Sequence, residues 1–147
     1  MKIAEIMTTT VHTISPDSTL LECAEALNTR KLNGLVVTEN AKVAGIITKA
    51  DIFRAILPSY ADLMEDESQM TSLDLIEERV HKLYDVHVKS VMTASPLTIA
   101  SDCPVVKAGS LMIARRVKQL PVVDGDRLMG IVTLTDVVNY LRKKVQK

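Results

Sequence analysis

The chain has 147 residues, of which 47% are hydrophobic and 24% charged, with 18 basic and 18 acidic side chains. That length can bury a real core, and the composition is too apolar for a disordered chain. No apolar run approaches the ~18–20 residues of a membrane helix, and Met1-Lys2-Ile3-Ala4-Glu5 has no signal-peptide apolar region, so a cytoplasmic protein with no membrane partner is expected. With 3% aromatic residues and no reader motif, the chain gives no case for nucleic-acid binding.

The balanced charge is unevenly placed. Residues 1–57 carry six charges of each sign, residues 58–87 carry eight acids against Arg79 and Lys82, and residues 88–147 carry ten bases against four acids. The last segment is therefore the expected home of an anionic ligand. Four of its bases, Arg142, Lys143, Lys144 and Lys147, crowd the C-terminal end, where a solvated helix terminus accounts for them.

The chain repeats itself. A shift of 85 aligns residues 3–56 with 88–141 without a gap, matching Met7/Met92, Thr8/Thr93, Thr13/Thr98, Ile14/Ile99, Asp17/Asp102, Arg30/Arg115, Leu35/Leu120, Val37/Val122, Gly45/Gly130, Ile46/Ile131, Thr48/Thr133 and Asp51/Asp136. Two copies, 1–57 and 88–147, flank an acidic connector, 58–87. In the first copy Val11–Ile14 reads as a short strand and Pro16-Asp17-Ser18-Thr19 as a turn. Thr19-Leu20-Leu21-Glu22 has capping-box form ahead of a helix with Leu20, Cys23, Ala24 and Leu27 at helical spacing. In the second copy Pro104 replaces Thr19 and suits a first-turn position, so the two helices are expected to start about one residue apart. Strands Leu35–Thr38 and Val43–Thr48, joined by Glu39-Asn40-Ala41-Lys42, precede a second helix over Lys49–Leu57. Their counterparts are Leu120–Val123 and Leu128–Thr133, joined by the stronger turn Asp124-Gly125-Asp126-Arg127, and the helix Leu134–Lys144.

Each copy thus reads β-α-β-β-α, and the fold class is α/β (α+β). A unit this small struggles to bury enough surface alone, so the copies are expected to pack sheet to sheet about a pseudo-twofold axis. Pro58 is expected to end the first copy's last helix. In the connector, Leu73, Ile76, Val80, Leu83 and Tyr84 mark a helical apolar stripe, while Glu65-Asp66-Glu67 reads as a solvated run.

The chemistry gathers in Gly45-Ile46-Ile47-Thr48-Lys49-Ala50-Asp51 and its echo Gly130-Ile131-Val132-Thr133-Leu134-Thr135-Asp136. A strand ending at Thr and entering a helix at Asp presents a hydroxyl, a carboxylate and helix-terminal N–H groups, which can hold a sugar or phosphate. Thr-x-x-Asp is also a plain capping box, and the two roles are compatible.

These stretches, with Ile6-Met7-Thr8, Val91-Met92-Thr93, Val37 and Leu120-Pro121-Val122-Val123-Asp124, make the chain resemble a tandem pair of cystathionine-β-synthase (CBS) domains, a Bateman module. The resemblance implies a sensor that binds an adenosine ligand (AMP, ADP, ATP or S-adenosylmethionine) in clefts between the repeats and signals to an unknown regulated protein. It implies no required cofactor and a homodimer formed through the helices. Carried over by position, Asp51 and Asp136 take ribose hydroxyls, Thr48, Thr133 and Thr135 support ribose or phosphate, and Ile46 and Ile131 line adenine. Family members often place bases just before the Leu-Pro-Val-Val strand. Here those positions hold Lys118 and Gln119 in the second copy but Asn33 and Gly34 in the first, so the Asp51 cleft is expected to receive Lys118 and Pro121 and to favour a phosphorylated ligand.

The remaining residues carry less. Cys23 and Cys103 lack C-x-x-C spacing and read as reduced core thiols. His12, His81 and His87 are too scattered for a metal site. No nucleophile-base-orienter set appears, and the two copies span nearly the whole chain, so no enzyme is expected. A structural or dimerisation module whose motifs merely cap helices is the main alternative.

Overall fold

The computed structural model describes residues 1–56 and 73–146. Pro58 and Glu65-Asp66-Glu67 lie outside the described residues. The first copy forms β1 (Thr13–Ile14), α1 (Leu20–Arg30), β2 (Gly34–Glu39), β3 (Lys42–Thr48) and α2 (Lys49–Ile56). The connector contributes α3 (Leu73–Leu83). The second copy forms β4 (Thr93–Ala94), β5 (Ile99–Ala100), α4 (Val105–Ala114), β6 (Gln119–Asp124), β7 (Arg127–Thr133) and α5 (Leu134–Val145). Short 3₁₀ turns at Ile3–Glu5 and Val88–Ser90 open the copies. The β-α-β-β-α order expected from the sequence is present in both, in a mixed sheet.

The chain divides into two compact units that exchange their leading segments. One comprises Met1–His12, Asn40–Val43 and Ser95–Lys147; the other comprises Thr13–Glu39 and Ala44–Ala94. The start of the first copy therefore packs on the body of the second, and the start of the second on the body of the first. Ile3 is fully buried among Val105, Met112, Leu120, Val122 and Val132, and its counterpart Val88 among Leu20, Leu27, Leu35, Val37 and Ile47. The backbone bonds match residue for residue: Ile3 N–H donates to Cys103 O (2.9 Å) as Val88 N–H donates to Ser18 O (2.8 Å).

This exchange explains a departure from the sequence reading. The first helices start at equivalent positions, Leu20 and Val105, not one residue apart. In each unit the leading segment takes the first helical N–H: Leu20 N–H donates to Val86 O (2.9 Å) and Val105 N–H to Met1 O (3.1 Å). Pro104 therefore stands at the N-cap, extended and without a side-chain cap, rather than in the first turn. Thr19 does cap α1, accepting from Glu22 N–H at 3.2 Å. Both helices finish at a base in the left-handed region, Lys31 (φ 54°) and Arg116 (φ 56°), which turns the chain into the next strand.

In the unit built on the first copy, β1 runs parallel to β2 (Thr13↔Val36, Ile14↔Val37), and β4 pairs antiparallel with β3 (Gly45↔Ala94, Ile46↔Thr93). In the other unit β5 runs parallel to β6, and β6 pairs antiparallel with β7 from Gln119↔Thr133 to Asp124↔Arg127. Gly45 and Gly130 are required by contact: a Cβ on Gly45 would lie 2.7 Å from Thr93 O, and one on Gly130 would lie 2.7 Å from Thr8 O. The connector helix α3 packs beside α2, with Leu83 against the core of its unit.

Candidate functional site

Each candidate site is a strand-to-helix corner. Along β3 the side chains alternate: Ile47 is buried in the core, while Ile46 and Thr48 are half-buried on the opposite side. Along β7, Val132 is buried and Ile131 and Thr133 are half-buried. The strands end at Thr48 and Thr133, and the helices begin at Lys49 and Leu134. The first helical N–H of each is satisfied from below, Lys49 N–H by Asn33 O and Leu134 N–H by Lys118 O, both at 2.9 Å.

The Asp of each motif folds back on its Thr. At the second corner Thr133 N–H donates to Asp136 Oδ2 at 2.8 Å and Asp136 N–H donates to Thr133 Oγ1 at 3.2 Å, a complete capping box. At the first, Thr48 N–H and Thr48 Oγ1–H donate to Asp51 Oδ2 at 2.9 and 3.0 Å, and Asp51 N–H donates to Thr48 Oγ1 at 3.2 Å. The capping role recognised in the sequence is therefore real in both copies.

The corners then differ. Asp51 Oδ1 is held by Arg54 Nη1 at 3.1 Å, and Asp51 is 9% exposed. Asp136 is half-buried, and among the described residues its Oδ1 has no hydrogen-bond partner. The position matching Arg54 holds Asn139, and the one matching Lys49 holds Leu134.

Ile46, Thr48 and Asp51 come together in one unit. Lys118, Pro121, Ile131, Thr133, Thr135 and Asp136 belong to the other. There Pro121 is buried and lies opposite Ile131 in the β6–β7 register, Gln119 lies opposite Thr133, and Lys118 and Thr135 are exposed. Arg54 was missed in the sequence reading, although its i,i+3 spacing from Asp51 was a visible pairing signal. Also missed was the proximity of Thr8 and Thr93 to the corners. Thr8 exchanges two 2.9 Å backbone bonds with Ile131, and Thr93 pairs with Ile46. Among the described residues no group of three or more His, Cys, Asp or Glu side chains is placed to hold a metal, and no described helix is long and apolar enough to cross a membrane.

The CBS domain family matches residues 3–58 and 88–143. The chain belongs to this family. A CBS domain-containing protein of Dictyostelium discoideum is 33% identical over 146 residues, covering 98% of this chain and 93% of that protein. The inosine-5′-monophosphate dehydrogenase of Methanocaldococcus jannaschii is 33% identical over 139 residues, covering 93% of this chain, but this CBS pair spans just 23% of that enzyme's length. Among solved structures, CBSX2 in complex with AMP superposes with a TM-score of 0.75 at 23% identity, covering 99% of this chain and 98% of that one. The CBS domain pair of protein MJ0100, in complex with 5′-methylthioadenosine and S-adenosyl-L-methionine, does so with a TM-score of 0.70 at 23% identity, covering 98% of both chains. At those identities the likeness is one of fold.

Proposed function

We propose that this CBS pair is a non-catalytic regulatory module that binds an adenosine nucleotide, AMP, ADP or ATP, and passes the binding on as a conformational change to a protein partner. The observation that carries the reading is the twin Thr–Asp corner, in which a carboxylate, a hydroxyl and a helix N-terminus converge beside a half-buried isoleucine. A carboxylate accepts the two neighbouring hydroxyls of a ribose, and the isoleucines Ile46 and Ile131 offer apolar surface to a base. Thr135 adds a hydroxyl that Ala50 lacks. AMP in one structural neighbour, and 5′-methylthioadenosine and S-adenosyl-L-methionine in another, support the ligand class. Signalling would follow from differential affinity for two packings of the protein.

Calorimetric titration with AMP, ADP, ATP and S-adenosylmethionine tests this reading. Binding of a phosphorylated ligand below millimolar concentration is expected, and Asp51→Ala is expected to weaken it more than Asp136→Ala does. Lys118→Ala is expected to weaken it as well. Silence with all four ligands overturns the sensor and leaves a structural module. A preference for S-adenosylmethionine replaces the nucleotide with that ligand, and equal effects of the two Asp variants remove the asymmetry.

The module is also proposed to be a homodimer through its helices. Exposed apolar residues recur at matching positions of the two copies: Leu21 with Val106 on α1 and α4, and Phe53 with Val138 on α2 and α5. Such duplicated apolar helix faces suit a second copy of the same chain, which can cover both in one closed, symmetric association.

A further inference from the structure

We propose that Arg54 is the specificity-determining residue of the Asp51 corner, released from Asp51 by the ligand's ribose and re-paired with the ligand's phosphate. The inference rests on the adenosine-sensor reading and adds to it a way of telling a nucleotide from a nucleoside.

Both oxygens of Asp51 already have donors: Thr48 N–H and hydroxyl on Oδ2, Arg54 Nη1 on Oδ1. A ribose that donates hydroxyls to this carboxylate must displace one of them. Thr48 N–H is fixed at the end of β3, and the Thr48 hydroxyl sits on the same short bridge. Arg54 is the movable donor. Its side chain is 70% exposed, one turn along α2, and the pair with Asp51 is a single 3.1 Å contact. An ion pair with one partner in solvent changes an equilibrium by about fivefold at most, so a ribose can displace it at small cost.

The displaced guanidinium remains within a turn of the corner, because long helical side chains lie back toward the helix N-terminus. A phosphate there can accept two N–H bonds from the planar guanidinium fork, a better partner than the single contact it gave up. An unphosphorylated adenosine removes Arg54 from Asp51 and returns nothing. The Asp51 corner therefore rewards phosphate. Lys49, exposed on the same helix, adds to the positive character of this end.

The second copy is the internal control. Asn139 stands in place of Arg54 and Leu134 in place of Lys49, and Asp136 Oδ1 has no partner among the described residues. A ribose meets Asp136 without displacing a cation, and no guanidinium on α5 one turn away awaits a phosphate. The Asp136 corner accepts nucleoside and nucleotide alike.

The test compares AMP with adenosine by calorimetry in an Asp136→Asn background, where the acceptor for Thr133 N–H is kept and the diol contact is weakened. AMP is expected to bind about tenfold or more tighter than adenosine there, the size of one charge-assisted contact. Adding Arg54→Gln is expected to weaken AMP by about tenfold and to tighten adenosine by up to about fivefold, while Arg54→Lys keeps part of the preference. In an Asp51→Asn background, Asn139→Arg is expected to create a preference for AMP at the other corner. An AMP-to-adenosine ratio unmoved by Arg54→Gln overturns the assignment even if AMP binds the wild type. Wild-type protein that binds neither compound overturns the sensor reading and this inference with it. An unchanged melting temperature of Arg54→Gln separates a selectivity effect from a folding one.

Discussion

Thr133 and Asp136 cap each other, N–H to carboxylate at 2.8 Å and N–H to hydroxyl at 3.2 Å. The pair closes the first turn of α5 with groups of the protein alone, so its structural share can be measured apart from binding. Thr133→Ala leaves the Asp136 N–H without its acceptor and is expected to cost about 1 kcal/mol, lowering the melting temperature by roughly 2–4 °C. Thr133→Ser is expected to restore it. Urea unfolding reads both, and an Ala variant as stable as wild type removes the hydroxyl from the cap.

Gly45 and Gly130 are held to glycine by the leading segments that cross them. A methyl at Gly45 would meet Met92 Sδ and Thr93 O, each at 2.7 Å, and one at Gly130 would meet Thr8 O at 2.7 Å and Met7 Sδ at 2.9 Å. The sulfur can shift, but the carbonyls are tied into strand pairing. Gly45→Ala and Gly130→Ala are each expected to destabilise by about 1–3 kcal/mol through overpacking. Denaturation with an unchanged m-value is the check, and a neutral result would mean that the leading segment lifts off readily.

The hairpin turn between β2 and β3 is built against residue preference. Asn40 and Ala41 both have positive φ, 53° and 65°, the requirement of a type I′ turn. Asn tolerates it, whereas alanine's Cβ makes it costly. Ala41→Gly is expected to stabilise the protein by about 0.5–1 kcal/mol, since relief of the strain exceeds glycine's added chain entropy. A fall in the urea midpoint would contradict this.

The fold was legible because duplication converts weak signals into strong ones. Neither Val11–Ile14 nor Glu39–Lys42 is decisive alone, yet their echoes 85 residues later fix a common order of elements. The Thr–Asp corners were legible for the same reason, as strand-to-helix turns in which Thr and Asp cap each other. What the sequence could not show was which body each leading segment joins, because Ile3 and Val88 are both β-branched apolar residues that signal burial without naming the core they enter. The helix starts were misjudged on the same account. Local capping chemistry separates Thr19 from Pro104, but the carbonyls of Val86 and Met1 make the two starts equivalent. Arg54 was passed over because an exposed base on a helix is ordinary, and its pairing with a nearly buried Asp51 is a matter of geometry.

The two cysteines are expected to differ in reactivity. Cys23 is fully buried, and burial raises its thiol from an ordinary 9.0 to about 11. The folded state thus favours the neutral thiol, so this contribution to stability is complete below about 9 and is lost as pH rises through about 11. Cys103 is partly exposed. Iodoacetamide at pH 8 is expected to modify Cys103 and spare Cys23 until the protein unfolds. Equal labelling in the native state would show that α1 opens readily.

The apolar helix faces give the last expectation. Val106 is 61%, Val138 56% and Phe53 60% exposed, and each could lose contact with water by joining a second chain. Charging two of them, Phe53→Glu with Val138→Glu, places a negative charge on each of α2 and α5 while leaving the cores of the units untouched. Light scattering after size exclusion is expected to give twice the 16.2 kDa chain mass for wild type and a single chain for the double variant. Circular dichroism should be unchanged, because neither residue belongs to a buried cluster. A monomeric wild type would remove the homodimer. A dimer that survives the double substitution would place its interface away from α2 and α5.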